Sequence, residues 1–101
     1  MIRAVLVDDE EYALDMLEIL LSRIGNVRVV GKYKNAVHAI EEMRTRQVDA
    51  VFLDIEMPGM KGNEAARAIK AIDPQIHIIF TTAYTEYAIE AFEIKALDYL
   101  L

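Results

Sequence analysis

Ile2-Arg3-Ala4-Val5-Leu6-Val7-Asp8-Asp9-Glu10-Glu11 stands at the head of the chain, an apolar run that gives way abruptly to four acids. A buried strand reads this way where it emerges at the edge of a sheet. The signature recurs. Ala50-Val51-Phe52-Leu53 is short, wholly apolar and ends on Asp54, and Ile76 to Phe80 reads as another buried strand that ends in Thr81-Thr82.

Between these runs the period changes. From Tyr12 to Ile24, apolar residues fall at Leu14, Leu17, Leu21 and Ile24, three and four apart, as on one side of a helix. Met16, Ile19 and Leu20 widen that stripe, which is expected to be core, and Gly25 supplies the stop. Val27 to Tyr33 is β-branched and reads as a second strand. Asn35 is the expected N-cap of a helix carrying Val37, Ile40 and Met43. Ile55 to Gly62 is a loop by its proline and glycines, Asn63 to Ile72 returns to helix, and Asp73-Pro74 turns it. Thr85 to Ile94 is expected to be helical, and Asp98 to Leu101 to begin a fifth strand.

Strand and helix alternate throughout, which implies an α/β, doubly wound parallel sheet with right-handed crossovers. Strands that are apolar without alternation agree with burial on both faces. In such folds the polar site lies off the carboxyl ends of the strands, where strand order switches. The residues that follow strands here are Asp8 and Asp9, Asp54, and Thr82. In a flavodoxin-like order 2-1-3-4-5 the first and third strands are neighbours, so their ends bring the three aspartates within a few ångströms. Carboxylates that close raise one another's pKa unless a cation neutralises them. Oxygen donors without His or Cys favour Mg²⁺, and a carboxylate held beside that ion can attack a phosphoryl group.

Bulk properties limit the alternatives. The 101 residues make one domain, and 54% of them are hydrophobic, enough for a real core. No cysteine is present, which removes disulfides and thiolate metal sites. The N-terminal apolar run is too short for a signal peptide, so neither secretion nor a membrane span is indicated and a cytoplasmic setting is expected. Seventeen acids against eleven bases give a net charge of −6, and Arg44 and Arg46 sit beside Glu41 and Glu42. No basic patch is visible in the sequence, so direct nucleic-acid contact by this domain is not expected.

Val7-Asp8-Asp9-Glu10, the run Leu53-Asp54-Ile55-Glu56-Met57-Pro58-Gly59-Met60-Lys61-Gly62, Thr81-Thr82-Ala83 and Ala96-Leu97-Asp98-Tyr99-Leu100-Leu101 follow one another in order along the whole chain. Together they resemble the response regulator receiver domain of two-component signalling, a CheY-like fold. The stretch from Thr81 to Leu101 most resembles receivers attached to LytTR-type DNA-binding domains. The resemblance implies that Asp54 accepts a phosphoryl group from a phosphohistidine on a sensor histidine kinase. It implies that Asp8 and Asp9, with Asp54 and the backbone carbonyl of Glu56, hold Mg²⁺ or Mn²⁺. Thr82 and Ala83 would bind the phosphoryl group, Tyr99 would complete the switch, and Glu56 and Tyr84 would tune dephosphorylation. The partners it implies are the kinase, a C-terminal DNA-binding output domain and a second copy in a homodimer.

The family also places a lysine, usually followed by proline, directly after the strand that ends at Leu101, and then a fifth helix. The chain stops at Leu101. A chain without the lysine is expected to phosphorylate poorly, and one without the helix to expose an apolar patch that favours association.

Taken singly the residues mean less. Asp8-Asp9 suit a turn or an N-cap, Asp54 a strand-end turn, and Thr82 a hydroxyl without a role. Joint occurrence after three strands carries the reading. His38 and His77 are expected to be exposed and too distant for a metal site, and Tyr12, Tyr84 and Tyr87 to pack at the surface or half-buried rather than to be partner contacts. Three other functions compete with this one. Asp54-Ile55-Glu56 faintly resembles the nucleophile motif of haloacid-dehalogenase-type phosphatases, which turn over free phosphomonoesters. A flavodoxin-like cofactor binder would need a phosphate loop where Asp8-Asp9-Glu10-Glu11 stands, and would be yellow. A receiver that only binds or dimerises is the third.

Overall fold

β1 (Ile2–Val7) is the centre around which the chain is built, with Ala4, Val5, Leu6 and Val7 all buried. The computed structural model describes residues 1–57, 59–81 and 98–100, the last three as backbone. After β1 come α1 (Glu11–Ile24), β2 (Val27–Tyr33), α2 (Ala36–Met43), β3 (Ala50–Leu53), α3 (Gly62–Ile72), β4 (His77–Thr81) and β5 (Asp98–Leu100). Every strand pairing is parallel and the sheet order is β2-β1-β3-β4-β5. This is the doubly wound, flavodoxin-like arrangement expected from the sequence. The expected helix at Thr85 to Ile94, and Leu101, lie outside the described residues.

Local chemistry explains the boundaries. Gly25, at φ +75°, ends α1, and Asn35 caps α2 by accepting the His38 N–H at 3.2 Å. α3 begins at Gly62, where the Lys61 N–H is taken by the Glu64 carboxylate three residues on.

β1 and β2 do not pair evenly. Ala4 lies opposite Val29, but Val5 lies opposite Gly31, so Val30 is an extra residue in β2. A bulge of one residue changes which face every later side chain meets. Tyr33 thereby joins Val7 in the core on the α2 and α3 side, and Lys32 turns toward α1, where it reaches Asp15 and Glu18 at 3.1 and 2.8 Å.

α2 and α3 cover one face, packing Ala39, Ile40, Met43, Ala65, Ala66 and Ile69 onto Val5, Val7, Val51, Leu53, Ile78 and Phe80. α1 covers part of the other, setting Leu14, Leu17 and Leu21 against Leu6 and Phe52. α1 buries a narrower stripe than its sequence predicts. Met16, Ile19 and Leu20 are 40, 47 and 50% exposed, and Ile24 is 73% exposed. At about 100° per residue, Met16 and Ile19 project from the side of α1 away from Leu14 and Leu21, Leu20 lies on its flank, and Ile24 sits at its open end. Apolarity widened the stripe in sequence, but the helix meets the sheet along a narrower line.

Candidate functional site

The register of the central strands builds the site. Val7 lies opposite Leu53 in the β1–β3 ladder, so the next residues, Asp8 and Asp54, leave the sheet side by side. The ladder runs one step further, since the Asp54 N–H donates to the Val7 carbonyl and the Asp8 N–H to the Tyr33 carbonyl, each at 3.0 Å. Val7, Leu53 and Phe80 behind them are almost wholly buried, giving the carboxylates a dry floor.

Carboxylate oxygens of Asp8, Asp9 and Asp54 all lie within 4.8 Å of one another, as the sequence predicts. Asp8 and Asp54 are half-buried and Asp9 is exposed. Two tight turns aim them. Asp8 Oδ1 accepts the Glu10 N–H at 2.9 Å, and Asp54 Oδ1 accepts the Glu56 N–H at 3.0 Å. Asp8 is thus a turn residue as well as a member of the cluster, and the cap position of α1 falls to Glu10, whose side chain makes no capping bond.

Burial raises the Asp54 pKa to about 6, the charges of Asp8, Asp9 and Glu56 push it the same way, and the Glu56 N–H works against them. Asp8 is also raised, first by burial and then by Asp9 and Glu10, with the Glu10 N–H opposing. Folding therefore holds these carboxylates where ionisation is costly. The cluster offers oxygen donors alone, closely spaced and short of counter-charge. That donor set fits a hard divalent cation, whose charge would relieve the repulsion. Among the described residues no second group of His, Cys, Asp or Glu has this spacing.

Glu56 is exposed beside Asp54. Tyr99 lies in β5 opposite Phe80, and its side chain is outside the described residues, as are Thr82, Ala83 and Tyr84. His38 and His77 are exposed and join no metal group among the described residues; His38 stands edge-on to Tyr33 with ring centres 5.1 Å apart. Tyr12 is 75% exposed.

Sequence reasoning missed the supports of the loop after Asp54. Ile55 is buried, Met57 and Met60 pack onto the core, and Gly62 lies directly against Ile55. The apolar residues within a loop otherwise marked by proline and glycine were the available signal.

Residues 4–101 match the family model of the response regulator receiver domain. The sensory transduction protein LytT of Bacillus anthracis is 41% identical over 101 residues, covering all of this chain and 41% of that protein. The transcriptional regulatory protein BtsR of Salmonella typhi is 44% identical over 103 residues, covering 100% of this chain and 42% of that protein. This chain therefore spans about two fifths of the curated relatives it matches. Among solved structures, the response regulatory domain of mrkE from Klebsiella pneumoniae superposes with a TM-score of 0.91 at 33% identity, over 99% of this chain and 82% of that one. The response regulator domain of Thermotoga maritima CheB gives 0.89 at 30% identity, over 99% and 77%.

Proposed function

The chain belongs to the response regulator receiver domain family, and from that membership we propose that it is a phosphorylation switch whose phosphoacceptor is Asp54. One observation carries the reading: Asp8, Asp9 and Asp54, from the ends of two adjacent strands, present carboxylate oxygens within 4.8 Å of one another.

Asp8, Asp9, Asp54 and the backbone carbonyl of Glu56 would hold Mg²⁺, with Mn²⁺ as a substitute. When bound, the ion supplies positive charge against the carboxylates and the phosphoryl oxygens. A carboxyl group with a pKa of about 6 remains mostly ionised at neutral pH, so Asp54 is a competent nucleophile there. Its oxygen forms a bond to the phosphorus of a phosphohistidine on a sensor kinase. The P–N bond breaks, and the departing imidazole nitrogen keeps the electron pair. The Asp54 turn, fixed by the Glu56 N–H, keeps the attacking oxygen oriented.

Thr82 donates its hydroxyl to the phosphoryl group beside Ala83, and Tyr99 follows it inward, altering the adjoining surface. Glu56 and Tyr84 tune the loss of phosphate. The domain catalyses its own phosphotransfer and dephosphorylation and acts on no separate substrate. In the full protein it works in the cytoplasm and passes a conformational change to an output domain, a DNA-binding LytTR-type transcriptional regulator, with a second copy as a further candidate partner. The regulatory part of this reading is supported by the relatives LytT and BtsR, which are named for sensory transduction and transcriptional regulation.

Intact-mass measurement after Mg²⁺ and acetyl phosphate tests the reading. The receiver pattern calls for a lysine directly after Leu101, so a version extended past that residue is measured beside the 101-residue chain. The extended protein is expected to gain one phosphoryl group, and its Asp54→Asn variant none. A variant that still gains the mass would remove Asp54 as the acceptor.

A further inference from the structure

The end of the sheet opposite the aspartates carries the reverse charge. Arg3 and Arg28 are register partners in β1 and β2, so two guanidinium side chains leave the same face side by side, an arrangement that costs energy unless an anion intervenes. Arg3 has its anion, because Nε and Nη2 fork onto Asp49 at 2.9 and 3.0 Å and Nη1 donates to Gln47. Arg46 donates through Nη1 to the Val30 carbonyl, at the bulge in β2. Among the described residues, neither Arg28, Arg44 nor Arg46 has a carboxylate within ion-pair distance. A shallow hollow of about 620 Å³ is lined by Arg3, Arg28, Val29, Val30, Arg46 and Gln47 with no carboxylate, while a neighbouring one of about 300 Å³ adds Arg44 together with Asp49 and Asp73.

We propose that this arginine-lined hollow binds a phosphate-type oxyanion, at a site separate from Asp54. Arg44 and Arg46 look neutralised in sequence by Glu41 and Glu42, and only folding brings Arg3 and Arg28 beside Arg46. The aspartate cluster does not cancel the charge. Five residue steps of extended strand lead from Arg3 to Asp8, roughly 16 Å, against a screening length of about 8 Å at physiological salt. Guanidinium forks match carboxylate and phosphate oxygens alike. A single carboxylate is already satisfied by one fork, as Asp49 is by Arg3, whereas a tetrahedral dianion offers acceptors and charge for several. A small anion fits better than a polymer, because a chain of net charge −6 would repel an extended polyanion beyond the hollow.

The test follows the arginine Nε–H signals by NMR while inorganic phosphate is added to the metal-free chain, with chloride matched for ionic strength. Saturable shifts at Arg3, Arg28 and Arg46 are expected. The Arg28→Gln/Arg46→Gln double variant, checked for an unchanged melting temperature, should bind at least about tenfold more weakly. Asp54→Asn should bind as the parent does, which separates this site from the phosphoacceptor reading. Shifts that stay linear or that chloride reproduces overturn the proposal, as does undiminished binding by the double variant. A response to a short DNA duplex or an acidic peptide but not to phosphate also overturns it, in favour of a macromolecular docking surface.

Discussion

Gly62 stands so close to Ile55 that a Cβ on it would lie 2.8 Å from the Ile55 Cα and 2.8 Å from its Cγ2. Ile55 follows Asp54 directly and is buried, so the first turn of α3 fixes the segment that carries Asp54.

Gly62→Ala should therefore harm both stability and the site. Alanine would ordinarily strengthen a helix by up to about 1 kcal/mol, but here the added methyl meets backbone that cannot rotate away. Urea unfolding is expected to show a net loss of about 1–2 kcal/mol, together with weaker Mg²⁺ binding. A variant as stable as the parent, with unchanged Mg²⁺ affinity, would mean that the contact positions nothing.

Two aspartates should shape the pH dependence of stability in opposite directions. The Asp54 pKa is raised by folding to about 6, so the folded state holds its proton more tightly than the unfolded state does. Stability from this group is full below about pH 4, falls as pH rises toward 6, and stays reduced above that. Asp54→Asn should then stabilise the metal-free chain at pH 7 by about 1 kcal/mol, after allowance for partial exposure, with the gain fading toward pH 4. Asp49 is held down at about 2, first by the side-chain hydrogen bond from Arg3 and then by the Arg3 backbone N–H. Its contribution is present above about pH 4 and is lost as pH falls toward 2. Asp49→Asn should destabilise at pH 7 and be neutral near pH 2. Melting curves from pH 2 to 8 on both variants check the two signs.

Mg²⁺ should raise the melting temperature through the aspartate cluster. With a dissociation constant of about 1 mM, 10 mM Mg²⁺ would add about 1.4 kcal/mol, reversed by EDTA. The increment should disappear in Asp8→Asn and in Asp54→Asn. The downward slope of stability between pH 4 and 6 should also flatten, because the cation offsets the cost of ionising Asp54 that burial first, and then the neighbouring carboxylates, impose. An increment retained in both variants would place the cation elsewhere.

Self-association is expected of the 101-residue chain. Ile2, Leu20 and Ile24 are 42, 50 and 73% exposed on or beside the α1 side of the sheet. A hollow of about 490 Å³ there is lined in part by Ile2, Val27, Phe52 and Ile79. Apolar side chains exposed together on one side of a sheet favour association. Sedimentation velocity should show oligomers that grow with concentration and persist at high salt, and Leu20→Glu/Ile24→Glu should shift them toward monomer. A chain that stays monomeric at high concentration would refute the expectation.

The carboxylate site was legible before any fold was known because it depends on short-range patterns. Apolar runs that stop on Asp8 and Asp54 mark strand ends, and strand–helix alternation leaves few topologies in which those ends can sit. Helix starts at Asn35 and stops at Gly25 were legible for the same reason, being settled by groups within a turn of each other. Tertiary structure alone decided the rest. Periodicity names the faces of α1 but not which will be covered, so Met16, Ile19 and Leu20 turned out to face solvent. The extra residue Val30 sends Tyr33 into the core, Gly62 becomes the support of Ile55, and Arg28 is brought beside Arg3. Each of these follows from how separate elements pack and pair, and in the strands one residue of slip exchanges inside for outside.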